Sequence, residues 1–482
     1  MSATGDDVRW TPLDEDAVVA EASALAAELT ALGCAAGDLV CALAGNHPGF
    51  VAARLAATAL ELVFAPLNPR LAPAEVAALC AYVRPRALLV DDAHAAVVDG
   101  VTVPALRLGR SGPAPGDRTG FDAARIGATV LFTSGTTGRP KACLRPEAAE
   151  AARVAELTAT YAITADDVHL ITCPLAHSAP GILLRAARAA GARTVLVDRF
   201  RPRGFLAAAA ATGATLTFLV PTQCYRLLEL PPAERPVPPS LRAVIVAGAP
   251  LAPAVKDRLL DWLGPDRLWE FYGSSETGTI TVIGPGEHRA HVGSVGRPPP
   301  GVSVRVLDEH GAAVAAGVDG EVFVRSAALM AGYLTDDGDL VRPDERDGHL
   351  SVGDLGRVDA DGWLTLVDRK HDTIISGGSN VYPAEVEAAL AAHPAVAGAV
   401  VFGVDDPEWG QVVTAVVAPR ARAAPPTIAE LTACCRARLA GYKLPRRWAT
   451  CAIDDLPIGG SGKALRRAAR AAYDEGRYQP LV

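Results

Sequence analysis

Between Asp14 and Tyr272 the chain repeats one unit, a short apolar run joined to an alanine-rich segment of helical spacing, and this repetition restricts the fold more than any single residue does. Helical spacing over Asp14 to Leu32 closes at Gly33 and Gly37, and Asp38 to Ala44 follows as a buried strand. The unit recurs as a helix over Phe50 to Ala59, a strand at Val63 to Pro66, a helix over Pro73 to Tyr82 and a strand at Arg86 to Val90. Further strands are expected at Arg193–Val197, Thr215–Val220, Leu241–Val246 and Leu268–Tyr272. Such alternation predicts a parallel sheet covered by helices, an α/β architecture.

From Gly293 to Gly362 the period shortens to alternating strands (Val302–Leu307, Gly320–Arg325, Leu364–Val367) separated by Gly and Asp turns, a small β subdomain. Pro383 then stands at the favoured first position of a helix reaching about Ala392. Strands at Ala397–Val404 and Val412–Val417 and a helix over Ile428–Leu439 complete a compact α/β unit. A chain of 482 residues exceeds one ordinary core. The expected division is 1–369, a large N-terminal domain of parallel and mixed sheets, and 370–482, a small C-terminal domain.

Composition narrows the partners. Half the residues are hydrophobic and 21% are charged, a globular balance, and a net charge of −8 argues against nucleic acid. No apolar run reaches the length of a bilayer span, and Met1 to Trp10 is polar and acidic, so neither membrane insertion nor secretion is expected. Nine scattered cysteines without CxxC spacing read as reduced thiols of a cytoplasmic protein. Of the 46 basic residues only five are lysines: Lys141, Lys256, Lys370, Lys443 and Lys463. Arginine has taken the general surface roles, which singles out the lysines for work that needs a compact, mobile ammonium. Lys256 alone lies outside any motif and reads as a helix-face residue placed by chance.

The run Thr129-Val130-Leu131-Phe132-Thr133 reads as a buried strand, and it breaks into Ser134-Gly135-Thr136-Thr137-Gly138-Arg139-Pro140-Lys141. Glycines let backbone approach a bulky anion, hydroxyls and N–H groups donate to its oxygens, and lysine adds a point charge. The pattern suits a polyphosphate, although a solvated strand–helix connection would carry the same residues. It is not a Walker loop, because Arg139 and Pro140 separate Gly138 from Lys141.

This loop resembles the phosphate loop of the acyl-adenylate-forming family, which includes acyl-CoA synthetases, adenylation domains of peptide synthetases and beetle luciferases. Four further stretches resemble the same family in the same order, spanning positions 133 to 463 with the loop. Phe271-Tyr272-Gly273-Ser274-Ser275-Glu276-Thr277-Gly278 looks like its adenine and magnesium segment, and Gly353-Asp354 like its ribose segment. Asp368-Arg369-Lys370, continuing from Asp372 to Glu387, resembles the hinge, with Gly377 and Gly378 lining the thiol's path. Pro457-Ile458-Gly459-Gly460-Ser461-Gly462-Lys463 resembles the loop of the C-terminal catalytic lysine.

The resemblance implies an ATP-dependent acid–CoA ligase acting through an acyl-adenylate, with ATP, Mg²⁺ and CoA as cofactors and a carboxylic acid as partner. An alternative acceptor is the phosphopantetheine of a carrier protein, or a separate enzyme. Glu276 would hold Mg²⁺ on the phosphates, and Thr133 to Gly138 with Lys141 would neutralise them. Lys463 would bridge the acid carboxylate and the α-phosphate, where transition-state charge develops. Gly248-Ala249-Pro250 and Phe271 to Ser275 would surround the adenine, Asp354 the ribose, and Arg369 would stand at the hinge. The small domain then becomes a mobile lid that withdraws the lysine and admits the thiol. The basic run Arg436, Arg438, Lys443, Arg446, Arg447 would meet the phosphates of CoA, or is a solvated face.

His177 falls where acyl-CoA synthetases place a histidine near the acyl carboxylate, and a structural histidine is the other reading. The segments expected around the acid are Pro221–Tyr225, Ala247–Pro250 and Gly273–Thr279, which are small and apolar and suit a hydrophobic or aromatic acid. Ala142 replaces a common glycine, Ser275 a frequent threonine, and His371 the usual Asp or Lys of the hinge.

Overall fold

The computed structural model describes residues 8–98, 100–109, 119–133, 140–249, 251–369, 372–376, 379–406, 409–420, 426–439, 441–458 and 464–481. Its strands form four sheets. The first runs, edge to edge, Trp10–Pro12, Arg193–Val197, Val168–Ile171, Leu216–Leu219, Ala243–Val246, Leu268–Ser274 and Gly278–Ile283. Its five inner strands are parallel and its two outer ones antiparallel. The inner strands are mostly apolar because helices cover both faces, and Ala243–Val246 is apolar and buried throughout.

The eight-stranded sheet runs Leu340–Val341, Gly332–Leu334, Lys141–Arg145, Thr129–Thr133, Val63–Leu67, Leu39–Leu43, Ala87–Val90 and Ala105–Arg107. Helices Glu15–Ala31 and Pro48–Ala59 lie between it and the first sheet. One core there joins Val40, Ala42 and Leu89 to Ile171 and Leu196. The third sheet is antiparallel and holds Ser303–Leu307, Gly320–Arg325, His349–Val358, Glu345–Arg346 and Leu364–Arg369. The fourth draws every strand from Ile374 onward and has its own core around Val386, Leu390, Val401, Val413 and Leu431.

Three details differ from the sequence expectation. The helix Glu147–Thr160 lies where the sequence placed it, but the strand Thr129–Thr133 first pairs with a second strand that was not expected, Lys141–Arg145, with Thr133 opposite Lys141. Pro146 favours this extended run, since a proline disfavours helical geometry at the residue before it, here Arg145. The ten-residue strand His349–Val358 is absent from the expectation because Gly353 (φ +81°) and a register shift at Leu355/Gly356 break its alternation. Lys256 is no chance surface residue either: it is buried, and its Nζ lies 2.5 Å from Oε2 of Glu270 on the adjoining strand. Burial pushes the Glu270 carboxyl above its ordinary value and Lys256 opposes that rise.

Candidate active site

Four neighbouring parallel strands of the first sheet point their carboxyl ends the same way: Val168–Ile171, Leu216–Leu219, Ala243–Val246 and Leu268–Ser274. His177, the segment Pro221–Tyr225, Gly248-Ala249 and the turn Ser274–Gly278 follow those ends in that order. This is the rim on which open α/β sheets gather ligands. Ala247, Phe218 and Phe271 belong to one apolar cluster below the rim, with Ala179 and Val220 against it. Gly248 has φ +95°, which turns the chain sharply after its strand, and Ala249 is half-buried. Pro250 lies outside the described residues.

The turn carrying Glu276 is fixed from several sides. Ser274 Oγ accepts from the backbone N–H of Glu276 (3.1 Å) and of Thr277 (3.2 Å). Arg145 Nη1 donates to the Ser275 carbonyl at 2.6 Å, and the Met330 N–H donates to the Glu276 carbonyl at 2.8 Å. At Gly273 a Cβ would stand 2.1 Å from the Gly278 carbonyl oxygen, so this crossing tolerates no side chain. The Glu276 side chain is 8% exposed and accepts from the Tyr333 hydroxyl through Oε1 at 2.8 Å. The Lys141 ammonium lies 4.7 Å from the centroid of that same tyrosine ring. Tyr333 was not among the residues expected at the site, and Gly332-Tyr333-Leu334 carries no motif that would mark it.

Below this trio sits a buried ionic group that sequence reading also missed. Arg145 and Arg185 both donate to Glu150, and Arg153 stands 3.7 Å from it. Burial works against the Glu150 carboxylate, yet the guanidinium groups of Arg185, Arg145 and Arg153 outweigh it and hold the acid well below the carboxylate range. Arg145 thus links a fully buried network to the Ser275 carbonyl.

Asp354, 8% exposed, accepts from the Tyr272 hydroxyl. The tyrosine ring packs on the β subdomain beside Ile280, Val322 and Leu364. Arg369 is the cross-strand partner of Asp354, so two expected site residues share one rung of the third sheet. His177 stands at the N-terminal boundary of the helix Ser178–Ala189 without a side-chain cap bond, and burial, with Arg70 nearby, lowers its pKa and favours the neutral ring.

Ser134, Gly135, Thr136, Thr137, Gly138, Lys370, His371, Gly377, Gly378 and Lys463 lie outside the described residues. Their flanks are informative. Ser376 pairs with Ser379 across Gly377-Gly378. Ile458 pairs with Ala464, and the Leu465 N–H donates to the Pro457 carbonyl at 2.9 Å, closing the base of the loop that holds Lys463. Arg466, next along, donates to both oxygens of Glu387 (2.7 and 3.1 Å) and to Asp372 (2.8 Å). Lys443 pairs with Glu385; partial burial opposes its charge, but that carboxylate raises its pKa overall. Arg447 pairs with Asp406 at 3.0 Å, so part of the basic run is already compensated.

The chain's own groups fit a magnesium ion held mostly by a nucleotide. Among the described residues there is no cluster of three metal-ligating side chains, and Oε2 of Glu276 has no partner. One open carboxylate oxygen beside a lysine is what Mg²⁺ uses when phosphates supply the remaining ligands.

Three sheets therefore contribute Lys141, Glu276 and Asp354 to this region, in an α/β protein with a separate C-terminal sheet domain. The chain belongs to the AMP-binding enzyme family: the family model matches residues 16–334 and the model of its C-terminal domain matches 385–463. It is 34% identical over 467 residues to a feruloyl-CoA synthase of Amycolatopsis sp, covering 93% of this chain and 91% of that protein. The amide bond synthetase McbA of Marinactinospora thermotolerans superposes with a TM-score of 0.84 at 32% identity, over 95% of this chain and 94% of that one. MatB of Rhodopseudomonas palustris, 28% identical over 95% of this chain and 93% of its own, superposes at 0.83 with ATP bound. Apo MatB, over the same shares, reaches 0.71, so the arrangement here is nearer the ATP-bound form. Among the described residues no helix is long and apolar enough to cross a membrane.

Proposed function

We propose that this chain is an AMP-forming acid–CoA ligase that activates a hydrophobic or aromatic carboxylic acid. The observation that carries the reading is that Lys141 and Glu276 both contact Tyr333, while Tyr272, on the strand that leads to the Glu276 turn, donates to Asp354. In this reading Lys141 and the loop before it bind the β- and γ-phosphates. Glu276 supplies the protein's carboxylate to Mg²⁺, which when bound neutralises the leaving pyrophosphate. Asp354 accepts from the ribose hydroxyls. Lys463, on the loop closed by Ile458 and Ala464, brings its ammonium to the α-phosphate as the acid attacks, where positive charge lowers the barrier most. His177, with its pKa lowered, stands near the acid as a neutral imidazole. The apolar cluster of Phe218, Ala247 and Phe271 supports an aromatic acid, as does the feruloyl-CoA synthase relative.

We also propose the division at 369/370, supported by a fourth sheet built only from strands after Ile374. The hinge would then include Lys370 and His371, and the thiol would pass Gly377 and Gly378 to reach the acyl-adenylate. The amide bond synthetase neighbour gives a second acceptor, an amine, some support, and a carrier-protein thiol is the third.

Pyrophosphate exchange across a structurally diverse acid library tests the first half-reaction, with Lys463→Ala as control. Aromatic acids should exchange, and the variant should lose at least ~100-fold while still binding ATP. AMP release with CoA, an amine panel or a phosphopantetheinylated carrier then identifies the acceptor. Exchange confined to short polar acids would overturn the acid assignment; full exchange by Lys463→Ala would overturn the catalytic one.

A further inference from the structure

We propose that Tyr333 is a positioning residue that keeps Lys141 and Glu276 apart and aimed at different ligands. The inference rests on the reading of this site as one for Mg²⁺ and ATP. Lys141 and Glu276 carry opposite charges, arrive from different sheets and approach the same half-buried place. Left to themselves such groups attract strongly and pair, and a paired lysine and glutamate would each be less available, one to phosphate and the other to a cation. They do not pair here. Among the described residues the Lys141 ammonium forms no ion pair; it lies on the tyrosine ring, 4.7 Å from the centroid. Glu276 receives the hydroxyl of that ring on Oε1 at 2.8 Å, and among the described residues Oε2 has no hydrogen-bond partner.

Strand register puts the ring there. Tyr333 is the antiparallel partner of Cys143, and side chains alternate along a strand, so Lys141, two residues before Cys143, shares its face. The two residues just before the strand of Tyr333 hold the same region: Met330 donates to the Glu276 carbonyl and Ala331 to the Leu144 carbonyl at 2.9 Å. Cys143, Met330 and Leu350 form the small apolar cluster on which the ring rests. The two contacts also reinforce each other. A phenol that donates to a carboxylate becomes more electron-rich, and an electron-rich face holds an ammonium more firmly.

Removing the hydroxyl and removing the ring should therefore have different effects. Calorimetric ATP binding is measured first in EDTA and then across a magnesium titration, with thermal melting to confirm folding. Tyr333→Phe keeps the ring under Lys141, so metal-free ATP affinity stays within about twofold of wild type. The magnesium concentration needed for half-maximal tightening rises about tenfold, the size expected when a hydrogen bond to a charged group is lost. Tyr333→Leu removes the spacer as well and weakens metal-free ATP binding by about tenfold, because Lys141 is released to Glu276. Folded variants with wild-type magnesium dependence and ATP affinity would overturn the proposal and leave the ring a packing residue. Wild-type protein that binds no ATP at all would overturn the functional reading itself, and this inference with it.

Discussion

Glu150 shows how one buried residue reaches the site without touching a ligand. It is fully buried, pairs with Arg145 and Arg185, and through Arg145 steadies the Ser275 carbonyl beside Glu276. Glu150→Gln keeps the shape and removes the charge, leaving the guanidinium groups of Arg145, Arg185 and Arg153 without their counter-ion. Breaking a buried pair in this way costs about 3–5 kcal/mol, and urea unfolding near neutral pH should register that loss. Because the folded-state pKa of Glu150 is depressed, its contribution is present above the ordinary carboxylate value near 4.5 and is lost as pH falls below it. The variant's acid limb should accordingly be shallower than that of wild type; an equal drop in stability at every pH would show that Glu150 is not the ionised partner. Residues at this scale were legible only where a motif named them. Glu276, Asp354 and Lys141 were singled out because they stand in stretches that resemble the family's motifs. Tyr333, Arg145 and Glu150 acquire their chemistry from partners far away in sequence, and nothing local distinguishes them from an edge-strand aromatic and two solvated charges.

At the scale of elements, the parallel strands were the most legible part, because burial on both faces leaves nearly continuous apolar runs. Helices after the phosphate loop were harder to read. Ser178–Ala189, Pro202–Thr212, Pro221–Leu228 and Pro253–Leu263 mix proline, arginine and alanine in a pattern that blurs the helical stripe. The loop of Lys463 shows how an element can position a residue that lies outside the described segments. Its base is an antiparallel bridge, and Arg466 at the start of the next helix ties that base to Glu387 and Asp372. Glu387 is anchored in turn, accepting from the Val401 N–H at 2.9 Å. Arg466→Ala should leave ATP affinity unchanged while slowing pyrophosphate exchange about tenfold, since a bidentate guanidinium fixes direction as well as distance. Arg466→Lys should recover little, because an ammonium cannot form the same fork. If the lysine variant restored full exchange, the fork would be irrelevant and only the charge would matter.

The whole molecule adds a contact between the helix Pro221–Leu228 and the fourth sheet that no motif announces. Tyr225, on the helix that begins with the expected acid-lining segment, accepts from Arg420 at the end of the strand Gly410–Pro419. Arg420 is itself held by the Pro394 carbonyl at 3.0 Å, so the guanidinium is a fixed projection of the fourth sheet. This pairing occurs in an arrangement nearer to ATP-bound MatB than to apo MatB. A contact made in one lid position and broken in another stabilises the first, and it shifts the balance only by its own free energy. A hydrogen bond to a charged donor is worth about 1.5–3 kcal/mol, enough to change the population of that position by roughly tenfold or more. Tyr225→Phe removes the acceptor and keeps the ring. On the proposal that the C-terminal unit is a mobile lid, the adenylation half-reaction should slow several-fold, whereas thioester formation from added acyl-adenylate should hold steady or rise. Parallel loss of both half-reactions would mean that the tyrosine shapes the acid pocket and not the lid. Unchanged rates in both would mean that the lid is held by other contacts. The partition between the two half-reactions, measured on one preparation, separates a latch from a pocket wall because only a latch moves them in opposite directions.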